Sequence, residues 1–167
     1  ALVGQALTIG GRIYEEGTTD RTPFTDARQP IVAQFGFGPD GSMPGMDADG
    51  LWTWIDAAPS AEYDGNGELG EPNNDEYVAT VNAPAPGVYD HAYRFSADGG
   101  RTWTYCDGRP EGSSDGYDPA DAGSLTVIVD GDPCDPNPCD APPAADCADD
   151  TTRRTYEGPG ACAVEGG

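Results

Sequence analysis

The chain has 167 residues, enough for one sandwich domain and a small appendage. It carries 30 acidic residues against 8 basic ones, all arginine, for a formal net charge of −22; nucleic acid and anionic membrane surfaces are poor partners for such a chain, because binding phosphate takes cationic side chains. Hydrophobic residues make up 37% of the sequence, and 24 Gly and 16 Pro fill it with turns, which excludes long helices and leaves room for a small core of short elements.

In chain order, ALTIGGRIYE (6–15) reads as a first strand with a bulge at Gly10-Gly11. Residues 17–30 are loop, and the threonine-rich stretch Gly17–Thr25 is a candidate for O-linked sugars; there is no Asn-X-Ser/Thr sequon. IVAQFGF (31–37) alternates, placing Ile31, Ala33, Phe35 and Phe37 on one face. After a long turn, LWTWIDA (51–57) puts Trp52 and Trp54 on one side and Leu51, Thr53 and Ile55 on the other. EYVATVNA (76–83) alternates through Tyr77, Ala79 and Val81, and VYDHAYRFS (88–96) through Tyr89, His91, Tyr93 and Phe95. ADGG (97–100) is a strong hairpin signal, since glycine and aspartate accept positive φ at low cost. RTWTYCD (101–107) returns, with Trp103 and Tyr105 on one face and Cys106 on the other. SLTVIVD (124–130) is a last strand, with Leu125, Val127 and Val129 inward.

Strict period-2 alternation, about seven strands and no helical periodicity predict an all-β fold, an immunoglobulin-like antiparallel sandwich. At residue 131 the composition shifts to a Pro- and Asp-rich stretch holding four of the five cysteines. The expected organisation is a β-sandwich domain over 1–131 and a loop-rich, disulfide-bonded tail over 132–167. Disulfides are favoured over zinc because the only histidine, His91, lies far away in a strand. Oxidised cysteines and no apolar run of membrane-span length point to an extracellular or cell-surface location.

Two stretches carry a resemblance. PGVYDHAYRFSADGGRTWTYCDG (86–108), preceded by FGFGPDG (35–41), LWTWIDA (51–57) and NNDEYVATV (73–81), resembles a β-sandwich module of large secreted bacterial proteins, and its YRFSADGGRTW hairpin is similar to the late hairpin of starch-binding-type carbohydrate modules. CDPNPCDAPPAADCADDTTRRTYEGPGAC (134–162) resembles a truncated EGF-like, cysteine-rich segment. EGF-like order implies pairing of Cys134 with Cys147 and of Cys139 with Cys162, although four cysteines permit three connectivities. Cys106 is then left over, either as a buried thiol or as a link to another chain.

Among candidate sites, the loop 62–75 is the best for a metal. Asp64, Asn66 and Glu68 follow the alternate spacing of an EF-hand start, with Asp75 at the closing position; calcium, the one cofactor expected, takes six to eight hard oxygens. The bland alternative is a solvated acidic loop. The match breaks at Leu69, where a glycine belongs. Two smaller clusters, Asp40 with Asp47 and Asp49, and Asp115 with Asp118 and Asp121, read first as turns. Trp52, Trp54, Trp103 and Tyr105 are either core residues or a platform on which sugar rings stack, and the core is the commoner fate of tryptophan in such a sandwich.

No nucleotide-binding fingerprint occurs, His91 lies mid-strand among aromatics, and no pair of carboxylates stands out among thirty, so no enzyme is expected. The leading expectation is a non-enzymatic extracellular structural or assembly module, a surface or matrix protein or a filament subunit. It would be stabilised by calcium and self-associate through edge strands or the terminal arms ALVG and AVEGG. The alternative is a carbohydrate-binding module of a secreted multidomain protein, with glycans as partners.

Overall fold

The computed structural model describes residues 1–26, 30–45, 50–65, 72–108 and 116–129, together with the backbone at 146–147 and 153–154. The chain divides into two compact units, Ala1–Val129 and Asp130–Gly167.

The first unit is all-β. Its strands are β1 (Ala6–Ile13), β2 (Val32–Pro39), β3 (Thr53–Pro59), β4 (Asp75–Asn82), β5 (Gly87–Ser96), β6 (Thr104–Cys106) and β7 (Gly123–Val127), with one 3-10 turn at Pro119–Asp121. They pair antiparallel in the order β1-β4-β3-β2-β5-β6, and β7 lies beside the first half of β5 as β6 lies beside its second half. This is the antiparallel, sandwich-like arrangement of seven strands that the alternation predicts.

β3 makes the corner. Thr53–Ala57 pair with Phe37–Ala33 of β2, whereas Ala58 and Pro59 pair with Val78 and Tyr77 of β4. One strand thereby serves both layers, a known way to close a sheet over itself. The faces that meet carry Ile31, Ala33 and Phe35, Tyr77, Ala79 and Val81, and Tyr93 and Phe95. Tyr77 of β4 meets Phe95 of β5 edge-on at 5.9 Å. The Tyr93 hydroxyl crosses between layers, donating to the carbonyls of Ile9 at 2.7 Å and Tyr77 at 3.1 Å. A buried phenol is thus satisfied by two strands of the opposite layer, and its ring locks the spacing between them.

That crossing explains Gly11. The expected bulge at Gly10-Gly11 is absent, because β1 runs in unbroken register with β4 from Ala6↔Asn82 to Ile13↔Asp75. A Cβ at Gly11 would fall within 2.6 Å of three Tyr93 ring atoms. The glycine is there so that the ring can approach the backbone, not to bend the strand.

The end of β7 also departs from expectation. Val127 is buried, but Val129 is 59% exposed. Beyond Val127 the chain pairs with the N-terminus: Val3 N–H donates to Ile128 O at 2.9 Å and Ile128 N–H to Ala1 O at 3.0 Å, and Gly4 N–H donates to Ala83 O. The ALVG arm is therefore paired with its own domain; AVEGG lies outside the described residues.

The loop after β1 is tied down by its threonines. Thr19 is fully buried and its hydroxyl donates to Asn73 O at 2.8 Å, while the Thr25 hydroxyl donates to Glu76 O at 3.2 Å. Thr19 is closed to an O-linked sugar by that burial.

In the second unit the described residues form a short antiparallel pair, β8 (Asp146–Cys147) with β9 (Arg153–Arg154). Cys134, Cys139 and Cys162 lie outside the described residues. Cys106, on β6, is half-buried and packs against the core of the first unit. Among the described residues no helix is long and apolar enough to cross a membrane.

Candidate functional site

Alternation sends every second side chain of β2, β3 and β5 away from the core. The register then sets them in rows across the outer face: Asp56, Gln34, Arg94 and Tyr105 in one, Trp54, Gly36 and Ala92 in the next. Gly36 and Gly38 leave a floor where side chains would otherwise stand. A Cβ at Gly36 would sit 2.4 Å from Trp54 Cε3, and one at Gly38 would sit 2.6 Å from Trp52 Cε2. Two indoles, Trp54 on β3 and Trp52 just before it, and two glycines on the neighbouring strand are one device, in which the missing side chains make room for the rings.

The rings form a pile. Trp52 stacks on Trp54 at 5.5 Å with an interplanar angle of 18°. The Arg94 guanidinium lies 4.1 Å from the Trp54 ring centre and 4.2 Å from that of Trp103, and so joins the two indoles. Tyr105 tilts against Trp54 at 5.8 Å, and Tyr117 meets Trp52 edge-on at 6.0 Å. Arginine is suited to this position because its flat, weakly hydrated cation can stack on a ring while its edge makes hydrogen bonds. Here Arg94 Nε donates to Gln34 Oε1 at 2.8 Å, and Gln34 Nε2 donates to Asp56 Oδ1 at 2.7 Å. A polar chain thus borders the aromatic pile.

The turn after β2 covers one end. The Asp90 carboxylate, 4% exposed, accepts from Gly41 N–H at 2.8 Å. Burial raises its pKa, with the Gly41 N–H pulling the other way and neighbouring Asp40 adding to the rise. Trp52 Nε1 donates to Ser42 Oγ at 2.9 Å, and the Ser42 hydroxyl donates to Pro39 O at 2.6 Å. Trp52 is consequently buried, at 7% exposure, whereas Trp54, Trp103 and Tyr105 are half-buried.

The four aromatics expected as either core or platform therefore do come together, on the outer face and outside the sandwich core. Trp52 is a buried support beneath a loop. Trp54 has Trp52 and Arg94 against it. Trp103 ends the pile, with no second ring or cation against it among the described residues. It is the ring best placed to receive a flat ligand.

Arg94, Gln34, Asp56 and the two glycines were not singled out by the sequence reading. The signal was present: Gly36 and Gly38 alternate on one strand as Trp52 and Trp54 do on the next. It becomes meaningful only once the two strands are known to be neighbours.

Other candidates resolve differently. His91 lies on the core side against Phe35, with ring centres 5.6 Å apart, and burial pushes its pKa down. Of the expected calcium ligands, Asn66 and Glu68 lie outside the described residues, as do Asp47, Asp49 and Asp115. Asp75 is fully buried, and its Oδ1 accepts from the backbone N–H of Asp26 at 3.0 Å. Among the described residues no group of three or more His, Cys, Asp or Glu side chains is placed to hold a metal. Asp118 caps the 3-10 turn, its side chain accepting from Ala120 N–H at 2.9 Å, in keeping with the turn reading of that cluster.

No family model matches the chain, and no solved structure does. Among curated proteins, the chain is similar to an amylopullulanase of Thermoanaerobacter thermohydrosulfuricus, 26% identical over 143 residues. The match takes in 78% of this chain and 8% of the amylopullulanase, so the chain spans a small part of the protein it resembles.

Proposed function

We propose that the first unit is a non-catalytic carbohydrate-binding module of a secreted multidomain protein, and that it takes α-glucan chains on the outer face of β2, β3, β5 and β6. The observation that carries this reading is the similarity along most of the chain to a short stretch of an enzyme whose name places its substrates among amylose-type glucans and pullulan. A stretch of that size in a large glucan-acting enzyme suits an accessory module better than a catalytic domain.

The aromatic face supports the reading. Pyranose rings present C–H groups that pack against the flat face of an indole, and their hydroxyls need polar partners at the rim. Trp103 supplies the ring, and Arg94, Gln34 and Asp56 border it with donors and acceptors. Trp52 and Trp54 hold Arg94 and the floor in place. The assembly-module reading loses one of its motives, since the N-terminal arm is bound within its own domain.

Affinity electrophoresis through gels containing amylose, pullulan or dextran tests the proposal. Retardation by the first two and not by dextran is expected, with Trp103→Ala abolishing it while the melting temperature changes little. Equal mobility in all gels, or undiminished retardation of Trp103→Ala, overturns it.

A further inference from the structure

The loop after β1 closes over the start of β4, and at that junction two carboxylates meet. Asp75, the first residue of β4, is 0% exposed. Its Oδ1 accepts from the Asp26 backbone N–H, but its Oδ2 is buried and, among the described residues, has no hydrogen-bond donor. Asp26 Oδ2 is likewise buried and without a donor among the described residues, while Asp26 Oδ1 takes the Thr22 hydroxyl at 3.3 Å. Among the described residues the arginines at this end have other partners: Arg12 pairs with Glu76 at 3.2 Å and lies over the Tyr63 ring, and Arg21 Nε donates to Gly17 O. Buried anionic oxygens without donors are costly and are ordinarily neutralised by a partner.

We infer that a hard divalent cation, calcium in first place, binds between the carboxylates of Asp26 and Asp75 and pins the loop after β1 to β4. Two carboxylates balance its charge, and irregular loop backbone with water suits its flexible coordination. The pairing is invisible as a linear motif, because the partners stand 49 residues apart. Asp75 is the residue it shares with the EF-hand-like spacing of the sequence. The inference is independent of the glycan reading.

The rival is a shared proton. Burial raises the Asp75 pKa and the charge of Asp26 adds to the rise, while the Asp26 N–H opposes it, so a proton between the two carboxylates would also satisfy them. One substitution separates the cases. In Asp75→Asn the side-chain oxygen can keep the Asp26 N–H, and the new amide can donate to Asp26 Oδ2, so this variant should fold without metal.

The experiment is thermal unfolding of the full chain at pH 7.5, stripped with chelator and then titrated with calcium, alongside terbium luminescence. Tyr77 is a ready sensitiser: burial, then the charges of Asp75 and Asp26, push its phenol up to about 12, which places it beside the pair. Calcium is expected to raise the melting temperature of the parent and to displace sensitised terbium. Asp75→Asn should match or exceed the stripped parent and lose at least three-quarters of the calcium shift. Asp26→Asn should lose the shift too, and Asp56→Asn on the outer face should keep it. A calcium shift unaltered in both junction variants overturns the site. So does a parent that ignores calcium while the carboxyl carbon of Asp75 resonates as a protonated acid at neutral pH.

Discussion

The two faces of one layer are built from the same kind of residue and do different work. On the inner face of β2 and β5, Phe35, Tyr93 and Phe95 pack with Ala33 and with Tyr77 and Val81 of the opposite layer, and the Tyr93 hydroxyl, which crosses between layers, is satisfied by backbone. On the outer face, Trp54 and Trp103 pack against a guanidinium, over glycine, beside a chain of side-chain hydrogen bonds. Rings sealed against aliphatic carbon hold the fold. Rings packed against a cation, with polar neighbours and partial exposure, form a surface that solvent reaches.

Three substitutions or conditions test that contrast, from the largest effect down. Phe35→Ala should be the most damaging change, because Phe35 is 0% exposed in the middle of the core; a loss of about 3–5 kcal/mol is expected, read by urea unfolding. A loss below about 1 kcal/mol would mean that the inner face is not the main source of stability. Arg94→Ala removes the cation between two indoles and should cost about 1–2 kcal/mol. Its distinguishing mark is optical: the near-ultraviolet circular dichroism of the tryptophans should change while the far-ultraviolet strand signal persists. If Arg94→Ala unfolds the domain as Phe35→Ala does, the two faces are not separable.

The smallest effect is one of pH, at the hairpin between β5 and β6. Asp98 is held down to about 2, chiefly by the Thr102 N–H, then by the Ser96 and Thr102 hydroxyls and the Arg101 N–H. A carboxyl whose folded pKa lies below its ordinary value of 3.8 stabilises the fold above that value and loses the contribution as pH falls towards 2. Amide exchange at Arg101 and Thr102 should accelerate over that interval, and Asp98→Asn should remove the dependence. Asp75 has the opposite sign. Its raised pKa means that, in the absence of a cation, stability falls as pH rises above 3.8 towards the folded value.

Much of the fold was legible because strands with one buried face write themselves in alternating letters. Phe35, Tyr77, Ala79, Val81, Tyr93 and Phe95 all lie where alternation put them. The strand bearing Trp52 and Trp54 was the hard case: Ile55 on one side and the indoles on the other are both apolar, and period-2 alternation does not say which apolar side is the interior. The Gly10-Gly11 pair misled for a related reason. Glycine in a strand signals either a bend or a close approach, and here the approaching group, Tyr93, comes from a strand more than eighty residues away.

The amino-acid sequence by itself determined the all-β class, the approximate strand positions, the Asp-Gly-Gly hairpin and the strongly acidic surface, because each depends on neighbours along the chain or on composition alone. The tertiary structure decided which face of β3 is outside, why Gly36 and Gly38 stand beneath two indoles, that Arg94 joins Trp54 to Trp103, and that Asp26 meets Asp75. These depend on strand order and loop closure, which bring together residues that no local pattern connects.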